Sequence, residues 1–407
     1  MFILKILYNL LIAFIVPFAV PLGYLVAIKK KEDEDYFERF GFITFPEPPE
    51  KSVWFHCASV GEVRSLKSVM EFITEEFPEL KVIISTTTAT GKRMANAELE
   101  PYYAFLLPLE NSMSIAHIID YMNVRAVFIV DTELWPNMIR IAAKKSKLYL
   151  LNGRISDRTF KSYMKFRFIF RKLLGKFETI YTKSDQDTEK FAAIKGTGEG
   201  IVALGNIKFQ SRAEKIDSGI FGFIKNHRIF AAASTHGGEE ETAINAFRDA
   251  KTCDRLVLAP RHIHRVDDVL KLAREMGFTA SLLAERDGST DIVVVDRFGT
   301  LEELYAFSEK VFIGGSLNNT GGHNIFEALQ FEKNVSTGPN MTNFQEISDL
   351  AVSFGVSTIV KDANELAAYL QADDDKSGFG GFFQALDSDR NRKLACLKEV
   401  LKNASGD

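Results

Sequence analysis

The alternation of short apolar, β-rich segments with stretches of helical pattern constrains the fold of this chain more than any other feature. The first series of segments covers residues 53–57, 82–87, 103–107, 126–130, 148–151, 179–182 and 201–204. After GNIKFQ the pattern begins again, at residues 229–233, 256–259, 292–295, 311–314 and 335–337. Nearly continuous apolar strands separated by helices are typical of parallel sheets covered on both faces. The sequence therefore predicts an α/β chain with two doubly wound, Rossmann-like domains.

The boundary between these domains is predicted between Asn206 and Asp217, in a charged stretch without strand character. We assign residues 31–210 to the first domain and residues 211–407 to the second, which the helical last segment RNRKLACLKEVLKNA would close. Because ligands bind beyond the carboxyl ends of parallel strands, two facing domains would present their loops across one cleft.

Composition excludes several classes of function. The net charge of -4 and the absence of a basic nucleic-acid motif argue against a nucleic-acid partner. The three cysteines lie far apart without C-x-x-C spacing, which argues against a zinc site or a disulfide framework and fits a reducing compartment. His236, His262 and His323 fall on different predicted loops and offer no local ligand pair, so no metal site is predicted.

The N-terminus carries a membrane signal. Residues 6–28 contain no charge, and about 20 apolar residues suffice to span a bilayer as a helix. The stretch is long for a signal peptide and no clear A-x-A site closes it, so residues 1–30 are predicted as an uncleaved anchor, with a cleaved signal peptide as the alternative. Pro17 and Pro21 leave open a kinked or partly inserted helix. The lysines at 29–31 favour a cytoplasmic location for the domains.

A second membrane signal lies at residues 158–177. On a helix their basic side chains form a stripe roughly 60° wide, with phenylalanine, methionine, isoleucine and leucine over much of the remainder. These basic residues are Arg158, Lys161, Lys165, Lys172 and Lys176. Such a helix can lie on an anionic membrane surface. A solvated lysine face above a buried phenylalanine face is the alternative, and the sequence leaves both open.

In the first domain, the segment WFHCASVGE places Glu62 where a dinucleotide-binding turn would carry glycines. Ser59 and Glu62 match the S-x-x-E capping box, so the carboxylate has a purely structural interpretation as well. Glu133 follows another predicted strand and has a structural interpretation as an acid at a helix start. Arg154 and Lys92 are candidates for holding an anionic acceptor, or are simply solvated.

In the second domain, Gly321 and Gly322 are predicted to open a helix on which Asn324 and Glu327 lie one turn apart. Glycines allow close approach of a phosphate, and the Glu327 carboxylate can accept hydrogen bonds from a ribose. A cap glycine with an exposed glutamate is the alternative. Arg261 ends another strand with a planar donor suited to phosphate. These loops favour a nucleotide, whereas the lack of a P-loop lysine and of a clustered acidic metal site disfavours phosphoryl transfer.

Ten segments in order resemble the motifs of the 3-deoxy-D-manno-octulosonic acid (Kdo) transferases of lipopolysaccharide synthesis. They are WFHCASVGE, TTTATG, DTELWPN, NGRISDR, GNIKF, ASTHGGEE, APRH, DRFGTLEELY, GGSLNNTGGHNIFEAL and GPNMTNF. The resemblance implies a GT-B fold, CMP-Kdo as donor, a lipid A precursor (lipid IVA) as acceptor, and no metal or other cofactor. It further implies that the first domain binds the acceptor, at the cytoplasmic face of the inner membrane.

The same resemblance implies site residues. Glu62 would be the general base. The donor nucleotide would contact Pro260, Arg261, Phe298, Gly299, Thr300, Asn324, Ile325, Phe326 and Glu327. Asn340 stands where many members have histidine, and Gly237 where glutamate is frequent, so contacts at these two positions are not carried over. A GT-B-like sugar-nucleotide epimerase and a non-catalytic, membrane-bound nucleotide-sugar-binding scaffold are the alternatives.

Overall fold

The structure, a computed structural model, describes residues 8–10, 12, 14, 22–29, 33, 35–207 and 219–405. Residues 6, 7, 11, 13 and 15–21 of the predicted anchor at residues 6–28 lie outside them. In the described parts of the chain, no helix is both long enough and apolar enough to cross a bilayer. By its contacts the chain divides into two compact units, one of Met1–Phe209 with Asp389–Asp407 and one of Gln210–Ser388.

The first unit is built on a parallel sheet of seven strands in the order β3-β2-β1-β4-β5-β6-β7. The strands are β1 (Ser52–Cys57), β2 (Lys81–Thr86), β3 (Tyr103–Leu106), β4 (Val124–Val130), β5 (Lys147–Gly153), β6 (Thr179–Thr182) and β7 (Ile201–Ala203). The helices between them are α1 (Val60–Ser65), α2 (Lys67–Glu76), α3 (Ala89–Glu98), α4 (Ser112–Tyr121), α5 (Pro136–Lys145), α6 (Asp157–Lys165), α7 (Arg167–Leu174) and α8 (Asp185–Lys195). Each segment of the first predicted series overlaps one of these strands.

The second unit repeats this architecture, with seven parallel strands in the order β10-β11-β9-β8-β12-β13-β14. They are β8 (Ile229–Thr235), β9 (Arg255–Pro260), β10 (Ala280–Leu282), β11 (Ile292–Val294), β12 (Lys310–Ile313), β13 (Val335–Thr337) and β14 (Ser357–Ile359). The helices are α9 (Glu239–Ala250), α10 (Val266–Glu275), α11 (Leu301–Phe307), α12 (Phe326–Leu329), α13 (Gln345–Ser353), α14 (Ala363–Gln371) and α15 (Gly378–Ser405). The sequence did not predict β10 and β14, which are three-residue strands at the two edges of the sheet.

Burial on both faces explains why the strands read as continuous apolar runs. In β1, Val53, Phe55 and Cys57 join one hydrophobic cluster, whereas Trp54 joins the cluster on the other face of the sheet. The strands of the second unit likewise divide their side chains between two buried clusters. The predicted fold class, with two doubly wound parallel sheets, is confirmed.

The last helix differs from its predicted assignment. Phe379 and Phe382, near the start of α15, pack in a core cluster of the second unit. Leu397 and Leu401, near its end, pack in a core cluster of the first unit. The prediction gave the whole helix to the second domain, but burial of these leucines assigns residues 389–407 to the first unit.

The predicted basic helix at 158–177 is also different, because it is two helices. α6 ends at Lys165 and α7 begins at Arg167, with Phe166 between them. Their partly buried aromatic side chains, including Tyr163 and Phe170, pack against the core of the first unit.

Candidate functional site

Glu62 lies in the first turn of α1, immediately beyond the carboxyl end of β1. Ser59 is the N-cap, and its hydroxyl accepts a hydrogen bond from the Glu62 amide at 3.4 Å. The Ser59 hydroxyl also donates to Glu62 Oε1 at 2.9 Å, while the Ala58 amide donates to Oε2 at 2.5 Å. The carboxylate thus bonds the amide before the N-cap, and not that of Ser59 as in the usual capping box. These contacts fix the helix start and orient a half-buried carboxylate.

Burial and neighbouring acids raise the proton affinity of this carboxylate. Burial raises the pKa of Glu62 above its ordinary value, and the negative charges of Asp131 and Glu133 act in the same direction. The hydrogen bonds from Ala58 and Ser59 oppose the shift, because they favour the charged form. These acids come together because β1 and β4 are hydrogen-bonded neighbours. A carboxylate with a raised pKa is a better proton acceptor than an ordinary surface glutamate.

Asp131 is a neighbour of Glu62 that the sequence interpretation did not single out. Its carboxylate accepts a hydrogen bond from Asn152 Nδ2 at 2.8 Å, which joins the ends of β4 and β5. Burial raises the pKa of Asp131, whereas Asn152, Arg154 and Lys183 lower it. Asp131 and Asn152 both have left-handed backbones, with φ of 56° and 59°. Asp and Asn tolerate this conformation best, and their occurrence at strand ends was the available signal.

The two predicted cations of the first unit differ in their surroundings. Lys92 is largely buried and forms ion pairs with Asp35 at 2.6 Å and Glu38 at 2.9 Å. The Lys92 side chain is therefore engaged within the fold and is not the simply solvated side chain of the alternative, and this engagement disfavours the predicted role with an anionic acceptor. Arg154 is exposed, and its backbone amide donates to Thr132 Oγ1 at 3.1 Å.

The predicted donor residues at the ends of β9 and β11 include both buried and exposed side chains. Pro260 is buried at the end of β9, and Arg261 is exposed directly after it. Phe298 is 75% exposed, and Gly299 follows it with a left-handed φ of 80°. Thr300 is buried, and among the described residues its Oγ1 has no hydrogen-bond partner.

The loop after β12 differs from two predictions, namely that Gly321 and Gly322 open a helix and that these glycines serve the close approach of a phosphate. α12 begins at Phe326, so Gly321 and Gly322 do not open it. A Cβ on Gly321 would lie 2.6 Å from Asn343 Nδ2, and one on Gly322 would lie 2.3 Å from Met341 Sδ. The two glycines therefore allow two loops to pack closely.

The four predicted donor residues at the start of α12 divide into two pairs. Asn324 Nδ2 donates to Glu327 Oε1 at 3.1 Å, which brings these two polar side chains together, although Asn324 precedes α12 and does not lie on it. Ile325 and Phe326 have buried side chains in the hydrophobic core. A ligand can therefore meet these two residues only through their backbone.

A buried carboxylate and a pair of imidazoles organise the same region. Glu239, in the first turn of α9, accepts hydrogen bonds from the amides of Gly315 at 2.7 Å and of Ser316 and Leu317 at 2.9 Å each. The amide of His236 donates to the same carboxylate at 2.8 Å. His236 Nε2 lies 2.9 Å from His323 Nε2. Among the described residues, no three His, Cys, Asp or Glu side chains are arranged to hold a metal ion.

Two doubly wound sheets define the chain as a protein of GT-B type. A solved UDP-GlcNAc 2-epimerase from Neisseria meningitidis shares the fold, with a TM-score of 0.55 and 12% identity over 86% of this chain and 100% of that protein. At this identity the likeness concerns the fold alone.

The sequence relatives are more specific. Residues 34–211 match the family described as 3-deoxy-D-manno-octulosonic-acid transferase (kdotransferase). A 3-deoxy-D-manno-octulosonic acid transferase from Haemophilus influenzae is 30% identical over 82% of each chain. A bifunctional glycosyltransferase/methyltransferase from Fusobacterium nucleatum is 31% identical, and the match spans 74% of this chain and 49%, about half, of that longer protein. The chain belongs to the family of 3-deoxy-D-manno-octulosonic acid transferases, which confirms the predicted family.

Proposed function

We propose that this protein is an inverting glycosyltransferase that moves Kdo from CMP-Kdo to a lipid A precursor, lipid IVA, in lipopolysaccharide biosynthesis. One structural observation carries the catalytic part of this proposal. Glu62 is held by two hydrogen bonds at the carboxyl end of β1, where burial, and to a smaller extent the charges of Asp131 and Glu133, raise its pKa. Membership in the family supplies the substrate class.

The reaction needs a base because a sugar hydroxyl is a poor nucleophile until its proton is removed. Glu62 accepts the proton of the acceptor hydroxyl as the hydroxyl oxygen bonds the anomeric carbon of Kdo. The bond from that carbon to the phosphate oxygen breaks, and its electron pair leaves with CMP. One displacement inverts the configuration at the anomeric carbon. No metal or further cofactor is part of the proposal, since the sequence lacks a clustered acidic metal site.

We place the donor nucleotide on the second unit. Arg261 offers an exposed guanidinium to the phosphate, and Glu327, held by Asn324, offers a carboxylate to ribose hydroxyls. Pro260, Phe298 and Gly299 border the same loops. The buried Thr300 hydroxyl has a free hydrogen-bonding capacity within the described structure, and Ile325 and Phe326 would contribute backbone groups. These contacts are expectations from the family motifs, and the loop conformations support them.

We further propose that the protein works at the cytoplasmic face of the inner membrane, anchored by residues 6–28. The α6–α7 surface, defined here as the exposed side chains of residues 158–172, supports a second contact with the lipid surface. Phe166 is 47% exposed and Phe168 is 59% exposed. Lys161, Lys165 and Lys172 are exposed on the same two helices. Exposed aromatic side chains beside lysines favour binding to an anionic membrane.

The proposed function is tested by incubating the full chain with CMP-Kdo and lipid IVA, and measuring both free CMP and the mass of the lipid. We expect CMP release that depends on the acceptor, with a matching gain of Kdo on the lipid. Binding of CMP-Kdo without CMP release would indicate the scaffold alternative. Interconversion of a sugar nucleotide without transfer would indicate an epimerase.

A further inference from the structure

His236 and His323 form a hydrogen-bonded pair of imidazoles in the second unit. Their Nε2 atoms lie 2.9 Å apart, and the two rings are nearly parallel, at 8°. One nitrogen must donate its proton and the other must accept it, so the neutral pair contains one Nε2–H tautomer and one Nδ1–H tautomer. Such a pair can take up one proton on its remaining bare Nδ1 without breaking the hydrogen bond. A second proton would break that bond.

The surrounding structure is built to hold this pair. Gly315 has a left-handed φ of 68°, and a Cβ at this position would lie 2.9 Å from His323 Cδ2 and 3.5 Å from His236 Cδ2. The buried Glu239 carboxylate binds the amides of both His236 and Gly315, and so fixes the backbone on both sides of the pair. The strands that carry these loops, β8 and β12, are hydrogen-bonded neighbours.

The hydrogen bonds to the Glu239 carboxylate determine which backbone amides of this loop are available to a phosphate. The amides of Gly315, Ser316 and Leu317 already donate to Glu239. These three amides are therefore engaged, and a phosphate at these strand ends would find charged and polar donors in nearby side chains. Arg261 follows β9, the other neighbour of β8, and its positive charge acts on His323.

The free pair is uncharged near neutral pH. Burial, and next the charges of Arg261, His236 and His262, together lower the pKa of His323 to about 4. Burial also lowers the pKa of His236, with His262 and Arg265 acting in the same direction and Glu239 and Glu240 opposing them. A phosphate dianion beside the pair would reverse this balance, because an opposite charge favours the protonated imidazole.

We propose that the His236–His323 pair binds the leaving phosphate of CMP and takes up one proton from solvent when it does so. This inference rests on the proposed function, because it assumes CMP as the leaving group. The phosphate diester of the donor carries one negative charge, and the phosphate monoester of CMP carries two. The added charge arrives with the electron pair of the broken bond. The proton on the imidazole pair balances it, while the proton of the acceptor goes to Glu62.

The test is proton uptake on CMP binding, measured by calorimetry with the full chain in buffers of different ionisation enthalpy. Near pH 7.5 free CMP is already a dianion, since the second pKa of a phosphate monoester is about 6. We expect uptake of close to one proton with CMP and none with cytidine, which lacks the phosphate. By linkage, CMP affinity should fall by up to about tenfold for each pH unit above neutrality.

Three variants locate the proton. His323→Gln and His236→Gln should each abolish the uptake, whereas His264→Gln, a neighbouring histidine outside the pair, should leave it unchanged. If the Gln variants fail to fold, the histidine nitrogen resonances of the unaltered protein must show the new imidazolium within the pair. Uptake absent from the unaltered protein, or unchanged in both folded Gln variants, overturns the inference. If transfer fails in the assay with lipid IVA while CMP binding takes up the proton, the proposed function fails instead.

Discussion

At the scale of single residues, the same side chain can cap a helix and act as a base. Ser59 accepts a hydrogen bond from the Glu62 amide and donates one to the Glu62 carboxylate. Each carboxylate oxygen has a second lone pair, so the structural bonds leave the carboxylate able to accept a proton. A capping residue alone gains nothing from nearby acids, because like charges raise its pKa and weaken its charged form. The arrangement of Asp131 and Glu133 around Glu62 therefore favours a catalytic role.

Replacing Glu62 separates the two roles. Glu62→Gln keeps the shape of the side chain and can keep the bond from the Ala58 amide through its oxygen, while its NH2 group can donate to Ser59 Oγ instead of accepting from it. The substitution removes the basicity. We expect Kdo transfer to fall by about 100-fold or more, the usual scale for loss of general base catalysis. The unfolding temperature and CMP affinity should not change. Glu98→Gln is the matched control, since this carboxylate forms an ion pair with Arg64 at 3.2 Å and lies on the neighbouring α3.

The pH profile gives the same test a second readout. Because the pKa of Glu62 is raised, the ionised base is lost as pH falls through a value above 4.5. Transfer by the unaltered protein should decline through that range. Glu62→Gln should lack this acid limb in its residual activity. Near-normal transfer by a folded Glu62→Gln protein would show that Glu62 serves only as a helix cap and not as the base.

Arg261 provides the corresponding test in the second unit. Arg261→Ala should weaken CMP binding by roughly 1.5 to 3 kcal/mol, because the phosphate loses a charge-assisted hydrogen bond. Calorimetry of CMP binding measures this loss directly. Arg248→Ala is a suitable control, since this arginine bonds Asn245 and the carbonyl of Met276. An unchanged affinity in Arg261→Ala would remove the residue from the donor site.

At the scale of elements, the sequence predicted what burial imposes and missed what depends on contacts between distant segments. The long apolar runs of β1 and β8 were predictable because both faces of each strand are buried. β14 was missed because Thr358 and Ile359 are exposed, so no apolar run marks it. Gly321 and Gly322 were read as a helix start because their packing against Met341 and Asn343 has no local signal.

The Asp131–Asn152 and His236–His323 contacts are also features that the sequence did not predict, because they depend on contacts between distant segments. Each joins residues at or just beyond the carboxyl ends of neighbouring strands, and these residues are separated by 21 and 87 positions in the sequence. Spacing along the chain could not reveal them. Strand order does, because it brings the carboxyl ends of β4 and β5, and of β8 and β12, together.

The α6–α7 surface gives a prediction at this scale. Phe166→Ser with Phe168→Ser should weaken binding to vesicles that contain anionic lipid, because both exposed rings would leave the interface. The test is sedimentation with vesicles, using a chain that begins at Glu32 so that residues 6–28 do not dominate. Phe42→Ser, an exposed ring outside this surface, is the control. Vesicle binding that changes neither with salt concentration nor with the two phenylalanine substitutions would contradict a role for this surface.

At the scale of the whole molecule, the chain is two similar α/β units with separate tasks in the proposed reaction. The first contains the proposed base and the second contains the proposed donor residues. The chain passes between them twice, once near residue 209 and again within α15. Sequence periodicity identified both sheets, but it could not show where α15 changes partner, because an amphipathic helix carries the same pattern whichever core it covers.

Variants near the end of α15 test this assignment. Leu397 and Leu401 are each 1% exposed in a core of the first unit, and a buried Leu→Ala change costs about 2 to 5 kcal/mol. Leu401→Ala should therefore lower the unfolding temperature and reduce transfer, while a protein kept below that temperature should bind CMP with unchanged affinity. Phe382→Ala, in a core of the second unit, is the matched control and should weaken CMP binding as its unit is destabilised. If Leu401→Ala weakened CMP binding as much as Phe382→Ala, the end of α15 would belong energetically to the donor-binding unit, as the sequence first suggested.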